Sequence, residues 1–334
     1  MPLPPEAKTG KIAAPLPAPP TMHALLDAIA HSEFPTDACR IFHGRGGLYP
    51  GCEQLSLDVY PPVWLLTSFL PLEDAQLAAV HDALAQRMAQ IAPGKPLNWV
   101  YQFRQDARAE TRLMAGSVPE PHVVSEDGAH YAVHLMRGLN HGFFPDMREA
   151  RRWLREHLAG LRGARVLNLF AYTCSFSIAA LQAGAARVVN VDMSPGALAI
   201  GKRNHQLNNF ALGASFLPHD IFKSWGRIGR DGPYDVVIVD PPSYQKGSFV
   251  AEKDYARLMR RLPALLAPGG HALVCLNTPK LDTAFLTERM LEAAPELEFI
   301  RRQPNPAVFA DQSEERALKV LLYRKPSDAG SAQA

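Results

Sequence analysis

ARVLNLFAYTCSFSIAALQAGAARVVNVDMSPGALAIGKRN, residues 164–204, holds two short apolar runs, ARVLNLF and ARVVNVD, each followed by a helical segment. Ser194 suits the N-cap of the second helix and Pro195 its first position. The same alternation continues downstream. ASFLPHD reads as a third strand, and YDVVIVD as a fourth, apolar throughout as a strand buried on both faces should be. An amphipathic helix is expected over 252–267, ended by Pro268-Gly269-Gly270; HALVCLN is the fifth strand, LDTAFLTERMLEAA a helix, and ALKVLLYRK a closing strand. Alternating β and α signals with so little padding predict a doubly wound α/β sheet.

Upstream the pattern changes. Residues 21–135 open on a helix-like segment, MHALLDAIAHS, and pass a Gly-rich turn at Gly44, Gly46 and Gly47. Strand-like runs QLSLDVY and VWLLTSFL follow, then the helix LEDAQLAAVHDALAQRM and further strands NWVYQFRQ and HYAVHLM. This predicts a small α+β domain with an antiparallel sheet, giving way between Glu126 and Gly142 to a larger domain over 136–326. Seven prolines crowd the first twenty residues, so 1–20 is expected to be a disordered lead, and 327–334 a tail. No stretch of about 18 apolar residues occurs, which argues against a membrane-spanning helix. The formal charge of +2, from 35 basic and 33 acidic residues, excludes binding of polyanions by bulk charge. Four scattered cysteines without a secretory signal are expected to be reduced thiols of a cytoplasmic protein. No His or Cys set has metal-ligand spacing.

In an open α/β sheet, ligands bind beyond the carboxyl ends of the strands. After the first strand comes Asn168-Leu-Phe170-Ala171-Tyr172-Thr173-Cys174-Ser175, a loop without glycine. Dinucleotide phosphates need glycines so that backbone amides can close on them, so this loop suits a ligand without phosphate. Asp192, followed by Met193, ends the second strand and can accept from ribose hydroxyls, or simply cap the helix at Ser194. Asp220, beside Ile221, ends the third, placed for an adenine amine. Asp240-Pro241-Pro242-Ser243-Tyr244 ends the fourth; two prolines stiffen the turn so that the Asp240 carboxylate and Pro241 carbonyl can face one cavity. Adenosine without phosphate, joined to an amino-acid tail, is S-adenosylmethionine (SAM), the expected cofactor.

At these residues the chain resembles the bacterial 23S rRNA large-subunit methyltransferases: cytosine-C5 enzymes, guanine-N7 enzymes and uncharacterised relatives. The resemblance rests on residues 164–204, on DPPSYQKGSF, on GLNHGFFPDMREARRWL and on RIFHGRGGLYPGCEQLSLDVY, and covers roughly 36–325. It implies a Rossmann-like class I methyltransferase domain with a mostly parallel seven-stranded sheet, and places Gly142, Phe143, Asp146 and Arg148 on the cofactor side. The family's usual Gly-Gly is here Cys174-Ser175, and among residues 1–36 no counterpart is expected of the RNA-binding module that precedes the Gly-rich hairpin in cytosine-C5 members. Where those members carry Ser-Cys-Ser after the fifth strand, this chain has Leu276-Asn277-Thr278, with asparagine at the nucleophile's place as in guanine-N7 members.

Cytosine C5 accepts a methyl only after a thiolate adds to the ring. Cys275 sits one pleat behind Asn277 and is expected to be a buried hydrophobe. Nitrogen methylation needs mainly positioning and electrostatics. The expected activity is therefore methylation of a guanine nitrogen in RNA, on 23S rRNA or a ribosomal precursor. Asp240 and Pro241 would hold the base edge, Tyr244 would stack on its face and Asn277 would add a hydrogen bond. Competing readings are methylation of a small molecule or protein nitrogen, a cytosine-C5 enzyme, and a non-catalytic SAM- or RNA-binding module. Seven arginines against three acids over 137–165 suggest an RNA track that includes Arg151 and Arg152, with Lys246 a further phosphate contact.

Overall fold

A computed structural model describes residues 22–105, 108–242, 244–245 and 249–327, with Tyr244 and Gln245 as backbone only. Lys246, the tail expected at 1–20, and all but Ser327 of the tail expected at 327–334 lie outside the described residues. The chain runs α1 (His23–His31), β1 (Cys39–His43), β2 (Leu55–Tyr60), β3 (Val63–Ser68), α2 (Asp74–Ile91), β4 (Asn98–Gln105), β5 (Arg108–Ala115), β6 (His122–Glu126) and β7 (Ala129–Val133). It continues through α3 (Arg148–Leu158), β8 (Arg165–Leu169), α4 (Ser175–Gln182), β9 (Arg187–Asp192), α5 (Pro195–Leu207), β10 (Ala214–Pro218), α6 (Trp225–Gly229) and β11 (Tyr234–Val239). Then come β12 (Tyr244–Gln245), β13 (Phe249–Val250), α7 (Ala251–Met259), α8 (Leu262–Leu265), β14 (Leu266–Leu276), α9 (Thr283–Ala293), β15 (Glu298–Arg302) and β16 (Lys319–Arg324).

The larger sheet has the order β10-β9-β8-β11-β14-β16-β15. Five neighbours run parallel, and β16 is antiparallel to both β14 and β15. Its central strands are buried on both faces. Leu167, Leu169, Val237 and Val239 enter one core, while Val166, Val236 and Ile238 enter the other. Such double burial, about 1.5–3 kcal/mol per large aliphatic side chain, explains their continuous apolar reading. The order reverses beside β8, so the loops after β8 and β11 diverge and leave a crevice at the carboxyl edge.

The smaller sheet, β1-β2-β3-β4-β5, corrects the antiparallel expectation: β3 and β4 are parallel. α2 carries the chain back along the sheet, and a strand–helix–strand crossover yields parallel neighbours. The period-2 pattern of β2 divides the sheet's faces. Leu55, Leu57 and Val59 pack with α1 and α2, while Ser56, Asp58 and Tyr60 line a cavity on the other side. The single helix expected over 252–267 is two, α7 and α8, with Pro263 in the first turn of the second. β14 already begins at Leu266, so Pro268-Gly269-Gly270 lies in a strand that slips register against β11 rather than in a loop. Among the described residues no helix is long and apolar enough to cross a membrane.

Candidate active site

The crevice at the carboxyl edge is a cavity of about 580 Å³, within the usual range for small-ligand sites. Asn168 and Phe170–Tyr172 reach it from the end of β8, with Ser175 from α4; Asp192 and Met193 follow β9, Asp220 and Ile221 follow β10. Asp240, Pro241 and Pro242 follow β11, Asn277 follows β14, and Asp146 approaches from the turn before α3.

The loop after β8 is bent without glycine. Phe170, Tyr172 and Cys174 have φ of 58°, 46° and 63°, each a conformation that costs an L-residue about 1 kcal/mol or more. The surroundings hold it there. Asp192 accepts from the Tyr172 amide at 2.8 Å and from the Ser194 amide at 2.8 Å. Asn204 donates to the Thr173 carbonyl at 2.9 Å and accepts from the Ala132 amide at 2.8 Å, linking the loop to β7. Thr173 Oγ1 donates to the Gly142 carbonyl at 2.6 Å. Gly142 itself has φ of 96°, and a Cβ there would lie 2.9 Å from the Ala132 carbonyl oxygen. Asp192 thus fixes the loop while facing the cavity, and the helix cap is Ser194, which accepts from Ala197.

Among the described residues lining the cavity, four carboxylates, of Asp146, Asp192, Asp220 and Asp240, stand with one cation, Arg151, while Lys223 pairs with Asp220 from outside the wall at 3.3 Å. Burial raises the Asp240 carboxyl to about 7, aided by repulsion from Asp146 and opposed by Arg151. Burial also raises Asp146, against Arg40 and Arg151, and its buried Oδ1 finds no hydrogen-bond partner among the described residues. An acidic, partly unsatisfied wall with aromatic and aliphatic neighbours calls for a ligand that brings positive charge and no phosphate.

Several expected positions fall elsewhere. Arg151, expected on an RNA track, is fully buried: its Nε and Nη2 each donate at 2.7 Å to Glu126, and Nη2 also donates to the Phe144 carbonyl. Its helix stripe explains this, since Ala150, Leu154 and Leu158 are buried beside it. Arg152 is exposed and faces Glu149 and Glu156 along α3. Arg148, expected by the cofactor, is held outside the cavity wall by Asp127 and Asp37. Thr173 and Cys174 are buried behind the loop rather than on the wall. Phe143 is buried between Tyr131, at 4.5 Å, and the Arg151 guanidinium, and borders a second cavity. The excess positive charge over 137–165 is therefore largely answered by Asp37, Glu126 and Asp127, which lie outside that window. Tyr244 starts β12, paired with Val250.

That second cavity, about 370 Å³, is shared between β1–β4 and the segment from Asn305 to Leu318. Asn140, Phe144, Asp146 and Asn277 line both cavities, so the two meet. Its Arg40, Arg45, Tyr60, Arg104 and His141 escaped sequence reading. The available signal was polar residues at alternate positions of otherwise apolar strands: Ser56 and Asp58 in β2, Gln102 and Arg104 in β4. Among the described residues no cluster of His, Cys, Asp or Glu could hold a metal ion.

A sheet of this order, with an acid at the end of three of its four strands β10-β9-β8-β11 and no glycine-rich phosphate loop after β8, defines a class I methyltransferase fold. The sequence pattern of the S-adenosylmethionine-dependent methyltransferase family matches residues 39–324, and the chain belongs to that family. It is 38% identical over 194 residues to ribosomal RNA large subunit methyltransferase K/L of Psychrobacter, covering 55% of this chain and 23% of that one. Over 307 residues it is 28% identical to a Bacillus subtilis protein assigned as a ribosomal RNA large subunit methyltransferase, covering 87% and 75%. A protein crystallised with S-adenosylhomocysteine (SAH) and assigned as a methyltransferase superposes with TM-score 0.74 at 25% identity, over 90% of this chain and 78% of that one. The chain spans about a quarter to a half of the length of several ribosomal RNA methyltransferases that it matches. The cofactor is SAM, and the wall fits it: the carboxylates suit its sulfonium and ammonium, the apolar residues its adenine.

Proposed function

We propose that the chain methylates a nucleobase nitrogen, of guanine, in large-subunit ribosomal RNA. In this reading residues 136–326 hold the cofactor and 21–135 face the RNA. The observation that carries the choice of nitrogen over carbon is the absence of a cysteine from either cavity wall. Cys275 is fully buried, and burial, then repulsion from Asp240 and Asp146, pushes its thiol well above the ordinary range. Asn277 occupies the position where carbon-methylating relatives would need a nucleophile. Without a thiolate to add to the ring, carbon methylation has no route.

When bound, the cofactor supplies a methyl already activated by its sulfonium. The chain's part is to place the acceptor. Asp240 and the Pro241 carbonyl accept from the polar edge of a base swung out of the RNA, and Asn277 adds a hydrogen bond. A carboxyl near 7 accepts from the base when ionised and can take the proton that an exocyclic amine or a ring N1–H releases; ring N7, which carries no proton, needs no such transfer. The residues around SAM on this reading are Asp146, Asn168, Phe170–Tyr172, Ser175, Asp192, Met193, Asp220 and Ile221.

The test is nucleoside mass spectrometry of 23S rRNA from a strain lacking the gene, with restoration by the purified protein and labelled SAM. A missing methylguanosine that returns supports the reading. A missing 5-methylcytidine, or unchanged RNA, overturns it.

A further inference from the structure

The cavity shared by β1–β4 and the Asn305–Leu318 segment has a charge arrangement distinct from that of its neighbour. Two of its four arginines have carboxylate partners. Arg40 grips Asp58 through Nε at 2.8 Å and Nη2 at 3.0 Å, and Arg316 lies 3.7 Å from Asp311. Arg45 and Arg104 have no carboxylate partner among the described residues. Instead they are oriented by neutral groups. The Arg45 guanidinium lies 4.0 Å from the centre of the Phe69 ring. Arg104 Nε donates to Gln102 Oε1 at 2.5 Å, and Gln102 is itself anchored to Thr111 and the Gly138 carbonyl.

The histidines of the cavity orient arginines without neutralising them. His141 Nδ1 faces the His134 carbonyl at 3.2 Å, so it carries the proton and leaves Nε2 to accept from Arg104 Nη2, also at 3.2 Å. His43 Nδ1 accepts from Arg40 Nη1 at 2.8 Å. Burial, then Arg40 and Arg45, lowers His43 to about 4; burial, then Arg104, lowers His141 to about 4. Both imidazoles are neutral at physiological pH.

We propose, resting on the RNA reading above, that Arg45 and Arg104 bind the RNA phosphates flanking the target nucleotide, whose base then reaches Asn277 and Asp240 where the two cavities join. A guanidinium held by stacking or by neutral acceptors keeps its charge and part of its donor fork for phosphate. Supply of that charge by arginine alone makes the grip insensitive to pH over the physiological range.

The experiment measures binding of an unmodified 23S rRNA transcript by the full chain against salt concentration, with SAM affinity as the check on folding. Losing two phosphate contacts in Arg45→Ala/Arg104→Ala lowers the slope of log K against log salt by about 1.4 for single-stranded contacts, or about 25-fold in affinity at 0.1 M salt. SAM affinity stays unchanged. Arg45→Lys/Arg104→Lys, which keeps the charges, recovers the slope, as a merely structural role would not. An unchanged slope in the alanine pair, with wild-type RNA still methylated, overturns this inference alone; so does a slope that falls in Arg152→Ala instead. If the wild type shows no salt-dependent RNA binding, this inference and the RNA reading both fail.

Discussion

Replacing Asp240 by asparagine should stabilise the ligand-free protein, increasingly so as pH rises. The carboxyl is raised from an ordinary 3.8 to about 7, first by burial and then by Asp146. The folded state therefore holds the proton more tightly than the unfolded chain does. Stability linked to this group is fully present below about pH 4, is lost as pH rises toward 7, and falls no further above it. At 1.36 kcal/mol per pH unit the penalty on wild type is about 0.6 kcal/mol at pH 4, about 2 at pH 5.5 and about 4 at pH 8.5. Asparagine mimics the protonated acid in size and charge and escapes that penalty. Urea unfolding of both proteins at those three pH values reads the difference directly. A gap that stays constant with pH, or a variant less stable than wild type at pH 8.5, would refute the placement of Asp240 in a desolvated acidic pocket. The same variant should lose methyl transfer if, as proposed, the anion that costs stability is the one that holds the base.

Three further outcomes test other parts of the structure. Glu126→Ala leaves the fully buried Arg151 uncompensated and should cost about 3–5 kcal/mol in chemical denaturation, whereas Glu149→Ala, beside exposed Arg152, should cost less than about 1 kcal/mol. Gly201→Ala places a Cβ 2.5 Å from Cys174 Sγ; it should destabilise by about 1–3 kcal/mol and weaken SAM binding in calorimetry, and adding Cys174→Ala should restore much of both. Cys275→Ala should retain turnover on the RNA substrate in a labelled-methyl assay, since a fully buried thiol cannot serve as nucleophile; its abolition would return carbon methylation to consideration.

The larger sheet was readable because its physics is local. Strands such as Val236–Val239 are buried on both faces and so announce themselves as unbroken apolar runs, and an acid ending such a run is conspicuous. The smaller sheet hides more. Nothing within VWLLTSFL or NWVYQFRQ says that α2 returns the chain to make them parallel. Burial of Arg151 was in principle legible, since it shares the helical stripe of Ala150, Leu154 and Leu158; what was not legible was the partner, Glu126, 25 residues upstream on a hairpin. Counting charge in a window fails for that reason. It credits 137–165 with cations already neutralised from outside it, and it overlooks Arg45 and Arg104, which lie in unremarkable windows and share a cavity without carboxylate partners among the described residues.

The net charge of +2 averages two opposed fields. On one side of Asn140, Phe144, Asp146 and Asn277, the carboxylates of Asp192, Asp220 and Asp240 face, among the described lining residues, one arginine that is already paired with Glu126. On the other side, two of four arginines lack acids among the described residues. On the RNA reading proposed above, a cationic cofactor and a polyanionic substrate have opposite electrostatic demands, and adjoining acidic and basic cavities answer both without bulk charge. The arrangement also sorts the ligands. A nucleotide phosphate entering the acidic cavity would meet Asp240 and Asp146, and a sulfonium entering the basic one would meet Arg45 and Arg104. On that reading each ligand is turned away from the other's seat, and the uncharged edge of a base is what crosses between them, at the position of Asn277.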